Sequence, residues 1–530
     1  MGRWRWLWAL LAFALVAAAC GDDDDGGGAQ QPSGDGSTTS VAEADEGEPV
    51  SGGELVILFQ SERRALDPVT STPSGASTGL TDFAIYGALV GYDAEENEVH
   101  PILAESLEPN ATFDVWTLKL RPGLKFTDGS AFDAEAVKVN WERGKDPANR
   151  SSAFGILQSV AELNVLDEVT LEIHLTAPNA VFDALVSKFN INYIASAEAI
   201  RNGVDLSNSP VGAGPFKLES WQRDDRMVLV RNPDWFDAPR PYIDRLVVRI
   251  VPDEQQRVDT FITGDGDMMY TAINTSVAQL EDNDRSYTGL PVAHGTVISM
   301  NATRPPFDDI NMRRFLAHAI DRQAMLEASF GPGAKAATTF SAEGTPWHSD
   351  STALPEYDPA EAQRLLDDYV AKNGPVRIGC MASQSPTQQA QCKFVQTSLS
   401  QLNGIEVTID VVDTPSLITR SYGHDFDFAT WGFPTTYPDP GLFLGIYSTS
   451  TSNPMGYANP EVDALFEQAR KIGDPDERID IYRQIYELMA EELPFIPMQH
   501  PLYGYGFTDK VHGIEFYEDA IPRTDLIWVD

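Results

Sequence analysis

The sequence predicts an α/β protein folded as one multi-lobed body. Three observations lead there. The chain has 530 residues, 42% of them apolar and 22% charged, which is room for about three folding units of roughly 150 residues with large cores. Strand-like and helix-like periodicities alternate along the body without a repeat period. No low-complexity linker follows residue 52.

Strands are expected at Glu54–Phe59, Val115–Leu120, Thr170–Leu175, Met227–Val230, Leu246–Val251, Thr296–Met300, Val376–Cys380 and Ile405–Val412. Leu171, Ile173 and Leu175 alternate with Thr170, Glu172 and His174, the pattern of a half-buried strand, so His174 reads as solvated and not as a ligand. Helices follow the i, i+3, i+4, i+7 rule. One runs through Met312, Phe315, Leu316, Ala319 and Ile320, another through Ala362, Leu365, Leu366, Tyr369 and Val370. Val462, Leu465, Phe466 and Ala469 mark a third, and Ile481, Tyr482, Ile485, Leu488 and Met489 a fourth. Asp358-Pro359, Asn459-Pro460 and Asp474-Pro475 place a capping side chain before proline at the first helical position.

The formal net charge is -41. An acidic body excludes nucleic acid or an anionic membrane surface as a partner for it, since either needs a cationic face. The N-terminus reads as an address. Arg3 and Arg5 precede an uncharged apolar run, Trp6 to Ala19, that is shorter than the ~20 residues of a spanning helix. It ends Val16-Ala17-Ala18-Ala19-Cys20, which resembles a bacterial lipobox with Cys20 as the lipidated first residue; an ordinary signal peptide with Cys20 incidental is the alternative. Residues 1–19 are thus expected to be a signal peptide. Residues 20–52, rich in Gly, Asp, Ser and Thr, are expected to be a flexible acidic tether. The protein would then be exported and held at the outer face of the cytoplasmic membrane, or in the periplasm, by its lipid alone.

Of three cysteines, Cys380 ends a strand and Cys392 shares a helix face with Val395, Leu399 and Leu402. Outside the cytoplasm a strand–loop–helix disulfide is expected, with two buried free thiols as the alternative. Catalytic signals are weak. HExxH, CxxC, Walker and EF-hand patterns are absent, the eight histidines are scattered, and neither a metal nor a cofactor is expected. Gly75-Ala76-Ser77-Thr78-Gly79 matches G-x-S-x-G, but loop chemistry precedes it where a nucleophile elbow needs a strand.

Four blocks, in order, resemble the family 5 extracytoplasmic solute-binding proteins of ABC importers, the peptide, nickel and oligopeptide group. They are Trp116-Thr117-Leu118-Lys119-Leu120-Arg121-Pro122-Gly123-Leu124-Lys125-Phe126-Thr127-Asp128-Gly129 with Asp133-Ala134-Glu135; Pro210-Val211-Gly212-Ala213-Gly214-Pro215-Phe216 with Arg231-Asn232-Pro233-Asp234-Trp235; Pro305-Pro306-Phe307-Asp308-Asp309 with Arg313; and Gly456-Tyr457-Ala458-Asn459-Pro460 with Ala469-Arg470 and Glu477-Arg478. The resemblance implies a two-lobed clamp like the type II periplasmic binding proteins, with an extra subdomain in the first lobe. Lobe I would comprise residues 53–92, 209–297 and 499–530, the subdomain 93–208, and lobe II 298–498. It implies a monomer that closes on its ligand and docks on an ABC permease served by ATPase subunits.

The segment Phe426 to Pro440 resembles the family's ligand-facing stretch. By that resemblance Trp431, Phe433, Thr435, Thr436, Tyr437 and Asp439 face ligand, opposed by Thr72 in a wall at Thr70–Thr78 and by Trp347 in a wall at Phe340–Trp347. In peptide-binding members an Asp before the Tyr meets the peptide's α-ammonium; here that position is Thr436. Asp425 and Asp439 are the nearest acids, and Asp439, ahead of Pro440, is expected to be held by local backbone N–H groups. A peptide or peptide-like solute is the leading ligand class. A sugar, metal chelate or other non-peptide solute is the alternative, and an exported serine hydrolase using Ser77 a distant one.

Overall fold

The computed structural model describes residues 47–71, 75–93, 98–291, 294–343, 345–434, 439–443, 448–449, 453–499, 502–517 and 520–530. Cys20 and most of the expected tether lie outside these residues.

Three sheets organise the body. A seven-stranded sheet runs in the order Ser286–Pro291, Leu502–Phe507, Met268–Thr271, Glu54–Phe59, Arg245–Ile250, Arg226–Arg231, Phe216–Gln222. Glu54–Phe59 lies at its centre, parallel to both neighbours, with Ile57 opposite Val248 and Met268. Leu55, Ile57, Leu58 and Phe59 are all fully buried, so both faces of this strand are covered, as a parallel central strand requires. A five-stranded sheet runs Ile405–Val411, Val376–Ala382, Phe428–Pro434, His294–Met300, Phe495–Pro497. The third is antiparallel: Ala104–Pro109, Val115–Leu120, Thr170–Leu175, Val160–Val165. Its expected alternation is present, with Trp116, Leu118, Leu120, Leu171, Ile173 and Leu175 inward. His174 is partly exposed and meets Glu172 at 2.6 Å.

The fold is a two-lobed α/β clamp with a subdomain on the first lobe. The chain passes between the two large sheets twice. Ser286–Pro291 belongs to the first and His294–Met300 to the second; Phe495–Pro497 belongs to the second and Leu502–Phe507 to the first. The two passages run side by side, because Pro291 pairs with Leu502 on one side and Val297 with Pro497 on the other. The first passage therefore falls before His294. The boundary expected after residue 297 is too late, since Val297 is a core residue of the second lobe, paired with Trp431. The subdomain is also less separate than expected. Ile191, Ile194 and Ala197 pack in its core, while Tyr193, Ala195 and Ala199 pack in the core of the first lobe.

The sequence blocks are joints. Gly212 and Gly214 lie so close to the backbone at Ala84–Gly87 that a Cβ on either would overlap it. Gly214 N–H donates to Ile85 O at 3.0 Å, and Thr127 N–H of the first block donates to Gly212 O at 2.9 Å. Asn232 closes the joint by donating to Gly214 O at 2.8 Å. Blocks three and four meet at the end of the helix Pro475–Glu492: Arg313 donates to Glu492 O at 2.8 Å, and Tyr457 to the Glu492 carboxylate at 2.6 Å. That helix is capped as expected, Asp474 accepting from Asp476 N–H and Glu477 N–H.

Cys380, on the strand Val376–Ala382, is joined to Cys392, on the helix Pro386–Leu399, with Cα atoms 5.7 Å apart. Both are fully buried. Cross-linking residues 12 apart removes about 2–3 kcal/mol of unfolded-chain entropy. The double substitution Cys380→Ser, Cys392→Ser should lower the unfolding free energy by about that amount, read from a urea titration with midpoint and slope both fitted. Thiol labelling of the denatured, unreduced protein should find neither cysteine reactive.

Candidate ligand-binding site

The strand Phe428–Pro434 sets the position of the expected ligand segment. It pairs antiparallel with His294–Met300, Trp431 opposite Val297 and Pro434 opposite His294. Its C-terminal end therefore lies beside the first passage between lobes. Phe433 pairs through its backbone with Gly295. Thr72, Thr435, Thr436 and Tyr437 lie outside the described residues, as does the side chain of Phe433. Trp431 is partly buried and packs on a small cluster of Met381, Leu417, Phe426 and Ala429.

Asp439, where the description resumes, is buried. Its Oδ1 accepts from Tyr482 Oη–H and from Gly441 N–H at 2.7 Å, the local backbone bond expected of it, and its Oδ2 faces Arg478 Nε at 3.6 Å. Burial raises its carboxyl above the usual carboxylate range, against the pull of Arg478 and the hydrogen bonds from Tyr482 and Gly441. Asp425 lies at the surface against Arg420 at 3.1 Å. Each of these two acids is already engaged within lobe II.

Phe340 and Trp347, the two ends of the second expected wall, pack into the core of lobe II. Trp347 is 1% exposed and meets the ring of Tyr482 edge-on at 6.3 Å, and Phe340 packs against Phe495 at 4.7 Å. Rings this large release the most apolar area when buried in the core, and that is where they go. Trp347 thus backs Tyr482, which in turn holds Asp439.

The loop Pro68–Ser71, which leads into the wall expected at Thr70–Thr78, is held by the subdomain. Asn190 Nδ2 faces the carbonyls of Pro68, Val69 and Ser71 at 2.6, 3.4 and 3.3 Å. Arg143 donates through both Nη atoms to Asp67. The helix Gly75–Tyr86 follows, with Asp82 buried against Arg63 and pushed up to about 6 by burial. Ser77 lies in the first turn of this helix and residues 60–71 contain no strand, so the nucleophile-elbow geometry is absent from the described residues.

Across from Asp439 stands the subdomain helix Phe182–Lys188. Ala180 N–H donates to Arg470 O of lobe II at 2.8 Å. A cavity of 310 Å³ between the two is lined by Tyr92, Glu98, Phe113, Asp183, Asp439 and Arg478, among others. Asp183 and Asn190 were not singled out by the sequence, and Tyr482 and Arg478 were not read as site residues. Tyr482 was visible as a core-face residue of its helix, and Arg478, one turn before it, as part of Glu477-Arg478 in the fourth block; the other two sit in segments with no motif. Among the described residues no cluster of His, Cys, Asp or Glu is suited to a metal, and no helix is long and apolar enough to cross a membrane.

A sequence profile for the bacterial extracellular solute-binding proteins, family 5 (middle region), matches residues 98–455. The chain belongs to this family. Family 5 proteins are the solute-binding components of ABC importers, extracytoplasmic, and binding proteins rather than enzymes. Similar curated proteins include a glutathione-binding protein GsiB of Escherichia coli O1:K1, 27% identical over 84% of this chain and 88% of its own length. The GsiB of Pectobacterium atrosepticum is also 27% identical, over the same shares. Among solved structures, DppA from Helicobacter pylori with the peptide STSA aligns at TM-score 0.78 and 23% identity, over 91% of this chain and 98% of its own. NikA from Brucella suis with Fe(III)-EDTA aligns at 0.78 and 22%, over 90% and 100%. These structures share the family 5 fold.

Tyr482→Phe removes a donor from a buried carboxylate and should cost about 1–3 kcal/mol of stability. The lost bond favours the ionised form of Asp439, so the loss should be larger at pH 8 than at pH 5. Urea midpoints at the two pH values measure this.

Proposed function

We propose that the protein is a lipid-anchored binding component of an ABC importer that captures a peptide or peptide-like solute between its lobes and hands it to the permease. The observation that carries this reading is the placement of Pro434 and Asp439, on either side of the expected ligand residues in the sequence. Pro434 lies beside the passage between lobes, and Asp439 lies against the subdomain of the opposite lobe. A ligand held there touches both lobes only when they are together, so binding draws the population to the closed form. The glutathione-binding relatives, matched along most of their length, favour a small peptide-like solute over a sugar or metal chelate. The lipobox and acidic run support the anchor, and one chain is expected to act alone.

The amine of such a solute is not expected to be strongly recognised by lobe II. Thr436 has only a hydroxyl, and Asp439 is committed to Tyr482, Gly441 and Arg478. A buried ammonium needs a carboxylate or several acceptors. Mass spectrometry of material co-purified with the protein should find a peptide-like molecule. In calorimetry, matched free and N-acetylated tripeptides should bind within tenfold of each other, and Thr436→Asp should favour the free amine by about 1–3 kcal/mol. A hundredfold preference for the free amine in the parent protein would place the amine site elsewhere.

Cys20→Ser should release the protein from the membrane fraction in soluble form. Persistence in that fraction would rule the lipid anchor out.

A further inference from the structure

Lobe I and lobe II meet at a seam of unbalanced charge. Phe113 packs against Gly473, Val181 against Gly441, and Ala180 N–H bonds to Arg470 O. Lobe II brings Asp439 and Arg478, a pair already neutral on its own side of the seam, completed by Tyr482 and Gly441. Arg478 is further committed to the carbonyls of Ile472 and Gly473 at 2.9 and 3.0 Å. Lobe I adds Asp183 and Glu98 to the same cavity with no cation of its own on the lining, the Tyr92 hydroxyl and the Trp116 indole N–H being the other polar groups it brings there. Lys188 stands a turn and a half away, at the far end of the Asp183 helix. Asp183 Oδ1 accepts from Ala184 N–H at 2.8 Å, and no side-chain donor among the described residues bonds to it.

With the lobes apart, Asp183 keeps its water and Asp439 keeps Arg478. With the lobes together, Asp183 and Asp439 share the Arg478 guanidinium on a cavity of 310 Å³, with the exposed Glu98 also on its lining. A carboxylate losing water beside another negative charge is relieved most cheaply by taking a proton from solvent.

We propose that closing the clamp takes up one proton at this seam, on Asp183, so that acidification favours the closed form. In the structure, burial pushes Asp183 up to about 6; Ala184 N–H and Arg478 oppose the rise and Asp439 adds to it. A carboxyl whose affinity for its proton rises on closure makes closure more favourable as pH falls. The gain begins as pH drops through about 6 and is complete below the ordinary carboxylate value near 4. Two units of difference allow up to about a hundredfold change in the closed-to-open ratio. The inference deepens the clamp reading, because it needs the lobes to part. It does not need the ligand to be a peptide: a chain that binds no peptide at all still shows the pH step.

Small-angle scattering of the ligand-free full-length protein, made soluble by Cys20→Ser, tests this between pH 8 and pH 5. The radius of gyration should fall with a midpoint near pH 6. Asp183→Asn, which carries a neutral amide in the same shape, should be compact at both ends of the range, and Glu98→Gln should keep the step. Asp183→Ser serves if the amide variant does not give the parent's circular dichroism. A parent radius that does not change with pH overturns the proposal. So does a step of the same size and midpoint in the folded Asp183 variants.

Discussion

Both passages of the chain between the lobes run in neighbouring strands. Ser286–Pro291 and Leu502–Phe507 are hydrogen-bonded to each other in the first sheet, and His294–Met300 and Phe495–Pro497 are hydrogen-bonded to each other in the second. Two covalent links side by side let the lobes bend about one line and resist sliding or separation. Hinges of this kind concentrate the change in a few residues and leave the packed bodies intact. The rest of the molecule is arranged around that line. The strand Phe428–Pro434 ends on it, through the pairing of Pro434 with His294. The subdomain meets lobe II at Asp439 and Arg478.

The acidic composition has a counterpart inside. Although acids exceed bases by 41, several arginines are buried and serve as staples. Arg257, fully covered, donates to the carbonyls of Val251 and Tyr270 and pairs with Glu254. Arg313 ties Phe307 O to Glu492 O. A guanidinium has five donors in a fixed fork, so it can close several backbone ends at once, and its burial is tolerable only because those donors are used. The surface excess of acid is then left to water. The seam at Asp183 departs from this rule, because charge there is balanced in one lobe and not in the other.

Much of the architecture was legible in the sequence. Glu54–Phe59, Val115–Leu120 and Thr170–Leu175 are strands at the expected residues, because their apolar residues face covered surfaces and local pattern and burial agree. The Asp-Pro and Asn-Pro helix starts were readable because capping is a contact between near neighbours. What local pattern cannot carry is which surface a buried ring faces. Trp347 sits in a Pro- and Thr-rich stretch, and one ring it meets, Tyr482, lies more than a hundred residues later. Asp183 was illegible for the same reason, since its meaning comes from Asp439 across the seam. The passage at residues 291–294 was placed late because nothing in the composition of one continuous β-rich run marks where it changes sheets.

Asn190 belongs to the subdomain, but its amide reaches the carbonyls of the first lobe's loop at Pro68–Ser71. The backbone course of that loop is thereby written in a part of the chain over a hundred residues away. In descent, an insertion or exchange confined to the subdomain would reshape the loop without altering one of its residues. Two relatives with identical loops need not then share a solute, and specificity in such a lineage can drift through changes that an inspection of the cleft residues alone would miss.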